Sequence, residues 1–211
     1  MSARLASVNI TAAIHASEWA NSGGRTGIDK RPVTSAHLTS NGVIGDHVLE
    51  TRVHGGIDKA VYAYALEDLN WWEQKIGSSV TPGSFGENLT SAGIDLTEAI
   101  IGERWRIGST LLEISQPRTP CRVFEGFWKR PGLIKEFNDA GRPGAYIRVI
   151  EGGEVKAEDL INVVSRPDHG FSVSQAFKVR NGDREFLPQV LNVPELPSSW
   201  HEWARRILDA N

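Results

Sequence analysis

Arg104-Trp105-Arg106-Ile107-Gly108-Ser109-Thr110-Leu111-Leu112-Glu113-Ile114-Ser115-Gln116-Pro117-Arg118-Thr119-Pro120-Cys121 carries the main fold signal of this chain. Residues 104–107 and 111–115 are short apolar-bearing runs separated by a turn, and they predict two strands. Pro117 and Pro120 end the second strand, since proline lacks a ladder donor, and they stiffen the segment that presents Cys121. Outward from this stretch the pattern repeats at 6–10, 33–38, 60–64, 146–150 and 160–164. The turn Glu151-Gly152-Gly153-Glu154 is expected to pair the last two as a hairpin. With twenty-one glycines and ten prolines to form turns, the first three-quarters of the chain reads as mainly β.

Helical periodicity interrupts this twice. Ala65, Leu69, Trp72 and Ile76 recur at steps of four, three and four, and Leu133, Ile134 and Phe137 form a shorter apolar face. Past Arg166-Pro167 the texture changes to helix. Ser172 is placed to cap a segment through Val173, Ala176 and Phe177, and a second segment carries Phe186, Leu187, Val190 and Leu191. A third presents Trp200, Trp203, Ala204, Ile207 and Leu208 as one stripe, which packs within the chain or across a homodimer. The expectation is an α+β protein: a β-barrel-like domain over 1–165 and a three-helix appendage over 166–211, the latter too small to be stable alone.

A net charge of -3 and a pI near 6.1 offer no basic footprint, so nucleic acid is not an expected partner. No apolar run reaches the roughly 18 residues of a membrane span, and Met1-Ser2-Ala3-Arg4-Leu5 lacks a signal-peptide core. A cytoplasmic protein is expected. One cysteine rules out an internal disulfide and any multi-cysteine zinc or iron–sulfur site within the chain. Phosphate-binding loops, G-x-G-x-x-G, H-E-x-x-H and G-x-S-x-G are all absent.

What remains is polar residues in glycine-rich settings. Lys30 lies in the basic turn Thr26 to Pro32, whose alternative reading is a solvated turn. In Arg52-Val53-His54-Gly55-Gly56-Ile57-Asp58-Lys59-Ala60 two glycines free the backbone between His54 and Lys59, two cations suited to an anion such as phosphate. In Pro82-Gly83-Ser84-Phe85-Gly86-Glu87-Asn88-Leu89, Asn88 both donates and accepts, as recognition of a heterocycle edge requires; a capped turn explains the same residues. Arg118 and Arg122 flank Cys121 and favour its thiolate, although a lone cysteine also serves as a small buried hydrophobe.

Taken in order, Gly45-Asp46, His54-Gly55-Gly56 with Asp58-Lys59-Ala60-Val61, the 82–89 segment and Gln116 to Cys121 resemble the MOSC domain family, in particular its YiiM-type members. Gly141-Arg142-Pro143-Gly144-Ala145-Tyr146 resembles the family's later strand, and the helical end resembles the three-helix domain of that subgroup. Gly102-Glu103 departs from the family's usual Gly-Asp. The resemblance implies a β-barrel-like fold that binds molybdenum cofactor (molybdopterin), with Cys121 as the protein ligand to the metal. It also implies reduction of N-hydroxylated compounds, including hydroxylaminopurine-type base analogues, with electrons from a separate reductase. Within that picture Lys30, His54, Lys59, Arg118 and Thr119 are candidates for cofactor or substrate contacts, Asn88 for the pterin edge, and Glu87 for a proton donor if burial raises its pKa. A carrier of cofactor or sulfur without turnover, and a Cys121–His54 hydrolase, are the competing readings.

Overall fold

The computed structural model describes residues 2–20 and 23–210. In chain order its elements begin with strands β1 (Arg4–Thr11), β2 (His15–Ala16), β3 (Arg25–Thr26), β4 (Lys30–Val33), β5 (Ser35–Thr39) and β6 (Gly42–Val43). A short helix α1 (Thr51–His54) and a 3-10 turn at Ile57–Lys59 lead into β7 (Val61–Ala65), α2 (Leu66–Ile76), β8 (Leu89–Ala92), β9 (Arg104–Ile107) and β10 (Thr110–Pro117). Then come α3 (Arg122–Phe127), α4 (Leu133–Ala140), β11 (Ala145–Glu151), β12 (Gly153–Lys156) and β13 (Ile161–Ser165). The chain closes with α5 (Val173–Arg180), a 3-10 helix at Leu187–Asn192 and α6 (Ser198–Leu208).

Eight strands form one curled half-barrel sheet in the order β13-β9-β10-β11-β7-β8-β1-β4. Its pairings are antiparallel except that of β7 with β8, which α2 joins as a crossover. A bridge between Arg4 and Leu160 brings β1 to the start of β13, so the sheet curls back towards itself. The α+β expectation therefore holds. Among the described residues no helix is long and apolar enough to cross a membrane.

Period-two alternation in the central strands separates two cores. Val61, Ala63 and Ala65 of β7 and Ala145, Ile147 and Val149 of β11 face the main core. The intervening Tyr62, Tyr64 and Tyr146 face an aromatic core with Trp72 of α2, Phe85, Phe124 of α3 and Phe137 of α4. Both faces are covered, so β7 is buried along its whole length. The C-terminal helices belong to the main core: Val173, Ala176, Val190, Trp200 and Ala204 pack in the same cluster as the strands. The cap expected at Ser172 is present, and the structure completes it as a capping box with Gln175 as the reciprocal partner.

Several expectations are corrected. β11 and β13 are not hairpin partners: β12 intervenes and pairs with β5, while β13 pairs with β9. The reason is close approach at the glycines, since a Cβ on Gly152 would lie 2.8 Å from the Leu38 carbonyl oxygen and one on Gly153 would lie 2.3 Å from the Ser109 hydroxyl oxygen. β10 extends through Pro117, which pairs with Ala145; β9 has already left the other side at Thr110–Glu113, so no ladder bond is lost there. Strands β4 and β8 and helices α1 and α3 fall where loops were expected, and the middle appendage segment is a 3-10 helix.

Candidate functional site

A cavity of about 160 Å³ opens between the end of β10, the central tyrosines and the loops at 25–30 and 47–54. It brings together Lys30, His54, Lys59, Asn88, Arg118 and Cys121, residues spread over 92 positions of sequence. Two glycines let the loops close on it. A Cβ on Gly27 would lie 2.2 Å from the His47 carbonyl oxygen, and Gly83, at φ +89°, would drive a Cβ to 2.3 Å from the carbonyl oxygen of Lys30.

The segment after β10 delivers Arg118 and Cys121. Cys121 caps α3 in extended conformation, is half-buried and rests against the aromatic core. Arg118 is only 5% exposed, and its guanidinium lies 5.1 Å from the ring centroids of both Tyr62 and Phe124. Burial works against its charge, yet Tyr62, Tyr146 and Cys121 outweigh burial and leave the group above its ordinary value. Its Nη1 is buried with no hydrogen-bond partner among the described residues. A buried, charged donor left unpaired is costly, and a lone pair from an anionic ligand would satisfy it.

Lys30 and Asn88 form the floor through Asp46. Asp46 Oδ2 accepts from Lys30 Nζ at 2.5 Å and from Asn88 Nδ2 at 2.9 Å, while Oδ1 accepts from the Thr11 amide and hydroxyl at 2.9 and 2.8 Å. Burial favours the neutral acid, but Lys30 and these donors hold Asp46 below the usual carboxylate value. Asn88 Oδ1 accepts from the Tyr62 amide at 3.2 Å, so the Asn88 side chain is already used at both ends.

His54 is a correction to the expectation of two cations. Burial first, then Arg118 and Lys59, depress its pKa to about 3, so it is neutral at physiological pH. Its Nδ1 lies 3.0 Å from the hydroxyl of Tyr146, whose pKa burial raises to about 12. With the phenol protonated and the imidazole neutral, the tautomer sets the direction: Tyr146 Oη donates to Nδ1 when the ring proton is on Nε2, and Nδ1–H donates to Oη when it is on Nδ1. Lys59 Nζ donates to the Val53 carbonyl at 2.5 Å and lies 5.8 Å from the Tyr146 ring centroid; burial and then Arg180 lower its pKa.

Two candidates lie off the cavity wall. Thr119 is exposed and does not line it. Glu87 is fully buried, and burial raises its pKa as a proton donor requires, but its oxygens accept from the amides of Gly83 at 2.6 Å and Phe85 at 3.1 Å and from the Thr90 hydroxyl at 3.1 Å. In this position Glu87 anchors the 83–87 loop and is not among the residues that line the cavity. The sequence reading assigned no role to Tyr62, Tyr146, Asp46 or Trp19; Gly45-Asp46 and Ala145-Tyr146 stood out only as family motifs.

A family model for the MOSC domain matches residues 50–162. YflK of Bacillus subtilis is 33% identical over 179 residues, 83% of this chain and 81% of its own length. The crystal structure of YiiM from Geobacillus stearothermophilus superposes with a TM-score of 0.81 at 26% identity, covering 97% of this chain and 98% of that one. A protein of Gibberella moniliformis named as a reductase is 28% identical over 163 residues, 74% of this chain but 29% of its own greater length.

Proposed function

The chain belongs to the MOSC domain family and is YiiM-like, and from that premise we propose that it is an oxidoreductase that binds molybdenum cofactor and reduces N-hydroxylated compounds, with electrons from a partner reductase. The observation that carries this reading is the pairing of an accessible thiol, Cys121, with a buried guanidinium whose Nη1 lacks an acceptor in the same cavity. The relative named as a reductase supports redox chemistry over hydrolysis. The hydrolase reading loses support, because burial, Arg118 and Lys59 depress the His54 pKa to about 3 and leave it a poor base for a thiol or water.

The residues fit the cofactor. Among the described residues no group of three His, Cys, Asp or Glu side chains could hold a metal by itself, so a metal held here would take most of its ligands from a bound group, with Cys121 as the protein's own. Arg118 and Lys59 would supply the cations for the cofactor's phosphate, and Lys30 and Asn88, held by Asp46, would complete the polar lining around it. When bound, the cofactor supplies a metal centre capable of two-electron redox chemistry.

Reduction of R–NHOH breaks the N–O bond and consumes two electrons and two protons, releasing R–NH₂ and water. The electrons come from the partner protein. The protons come from solvent, and the chain supplies an uncharged hydrogen-bonding pair in the cavity lining, Tyr146 Oη and His54 Nδ1, to orient the N–OH group.

The test is metal analysis of protein made in a cofactor-competent host, wild type and Cys121→Ser together. Wild type is expected to carry molybdenum and the variant to lose it. Wild type free of molybdenum would sink the proposal, and molybdenum without reduction of any hydroxylamine would leave a cofactor carrier.

A further inference from the structure

Gly126 stands in the last turn of helix α3 without a conformational reason: its φ is not positive, and glycine is a poor helix former beside alanine. Its reason is Trp19. A Cβ at position 126 would lie 2.1 Å from Cδ2 and 2.3 Å from Cε3 of the indole, so the ring sits directly on the helix backbone. The neighbouring contact extends this seat, as the His15 ring lies 6.4 Å from that of Phe127. His15 is tied in turn to Asp29 at 2.9 Å, and the Ser17 amide donates to the Gly24 carbonyl at 2.7 Å. The segment that carries Trp19 is therefore fixed against both α3 and the approach to β4.

Trp19 also lines the cavity. It is half-buried, and among the described residues its indole has no aromatic or hydrogen-bond partner, whereas Tyr62 and Tyr146 of the same lining pack tilted against each other with centroids 5.4 Å apart. Val48 and Val53, 37% and 47% exposed, line the same cavity and add apolar surface. A rigid indole fixed from behind, unpaired and flanked by valines suits the face of a flat ring, because stacking depends on area and has little geometric demand at the ring edge.

We propose that Trp19, seated on Gly126, is a stacking platform for a fused aromatic ring and is the residue by which this site selects planar N-hydroxylated substrates over open-chain ones. This rests on the reading of the cavity as a substrate site. Trp19 is a specificity-determining residue here, and Gly126 a positioning residue that acts through it.

The test uses 2-aminopurine, a fused ring whose fluorescence is quenched on stacking, titrated into the purified protein. Wild type is expected to quench it saturably, Trp19→Phe to bind within about threefold of wild type, and Trp19→Ala to weaken binding by on the order of tenfold or more. Gly126→Ala, which keeps the indole but displaces it, is expected to weaken binding in the same direction. In turnover, the preference for an aromatic over an open-chain N-hydroxyl substrate in kcat/KM is expected to fall about tenfold in Trp19→Ala. No saturable quenching by wild type, or equal binding by Trp19→Ala, overturns the platform. Metal analysis separates the two proposals: molybdenum with no effect of Trp19→Ala removes the platform alone, while Trp19-dependent binding without molybdenum removes the reductase and leaves the platform.

Discussion

Trp200 Nε1 in α6 donates to Gln116 Oε1 at the end of β10, at 2.8 Å across 84 residues of sequence. Both residues are buried. Gln116 opens the segment that carries Arg118 and Cys121, so the last helix of the chain is bolted to the strand that positions the thiol. Arg180 of α5 continues the link, lying 4.6 and 4.4 Å from the ring centroids of Trp200 and Trp203 and acting on Lys59 at the cavity.

Replacing Trp200 with Phe keeps most of the ring and removes the donor. The buried Gln116 oxygen is then unpaired, and the cost is expected to be about 1–3 kcal/mol in urea unfolding. Pairing the change with Gln116→Leu, which removes the stranded acceptor, is expected to return part of that loss. Independent, additive effects of the two would contradict the link.

Arg118→Met should separate stability from binding. Because the guanidinium is buried with an unpaired Nη1, its removal is expected to leave the melting temperature of the cofactor-free protein unchanged or higher. The same change is expected to lower molybdenum content at least about tenfold, as a charged hydrogen bond to an anion is lost. A large fall in melting temperature would mean that Arg118 is structural.

His54 sets an acid dependence. Its folded pKa of about 3 lies below the unfolded value of 6.5, so the unfolded chain binds the extra proton between these limits. The stabilisation from this group is complete above pH 6.5 and is lost as pH falls towards 3, with a slope of up to about 1.4 kcal/mol per pH unit. Urea unfolding at pH 7, 5.5 and 4.5 should show the loss, and His54→Gln should flatten it. An unchanged slope in the variant would remove the assignment.

Glu87→Gln tests whether the carboxyl shapes the loop or transfers protons. A loop anchor exchanges one acceptor oxygen for an amide that cannot accept from Gly83 and Phe85 together, costing about 1–3 kcal/mol in stability. The pH profile of kcat is expected to keep its shape. A lost limb of that profile would return Glu87 to the chemistry.

The local pattern was enough for much of the architecture. Short apolar runs marked β7, β9 and β10, the steps of four and three marked α2, and Ser172 marked the start of α5, because each signal lies within one element. Order of motif, with Pro117 and Pro120 around Arg118, was enough to single out Cys121. Partnership was not legible: that β12 would separate β11 from β13 depends on backbone approach at Gly152 and Gly153 to Leu38 and Ser109, residues distant in sequence. Charge state was not legible either. His54 and Lys59 both read as cations, and only burial beside Arg118 makes His54 neutral. Nor did sequence spacing distinguish Glu87, turned into its own loop, from Tyr146, turned towards the cavity. Residue types and local periods belong to the chain itself; neighbours, burial and the electric field they create exist only once distant segments have packed.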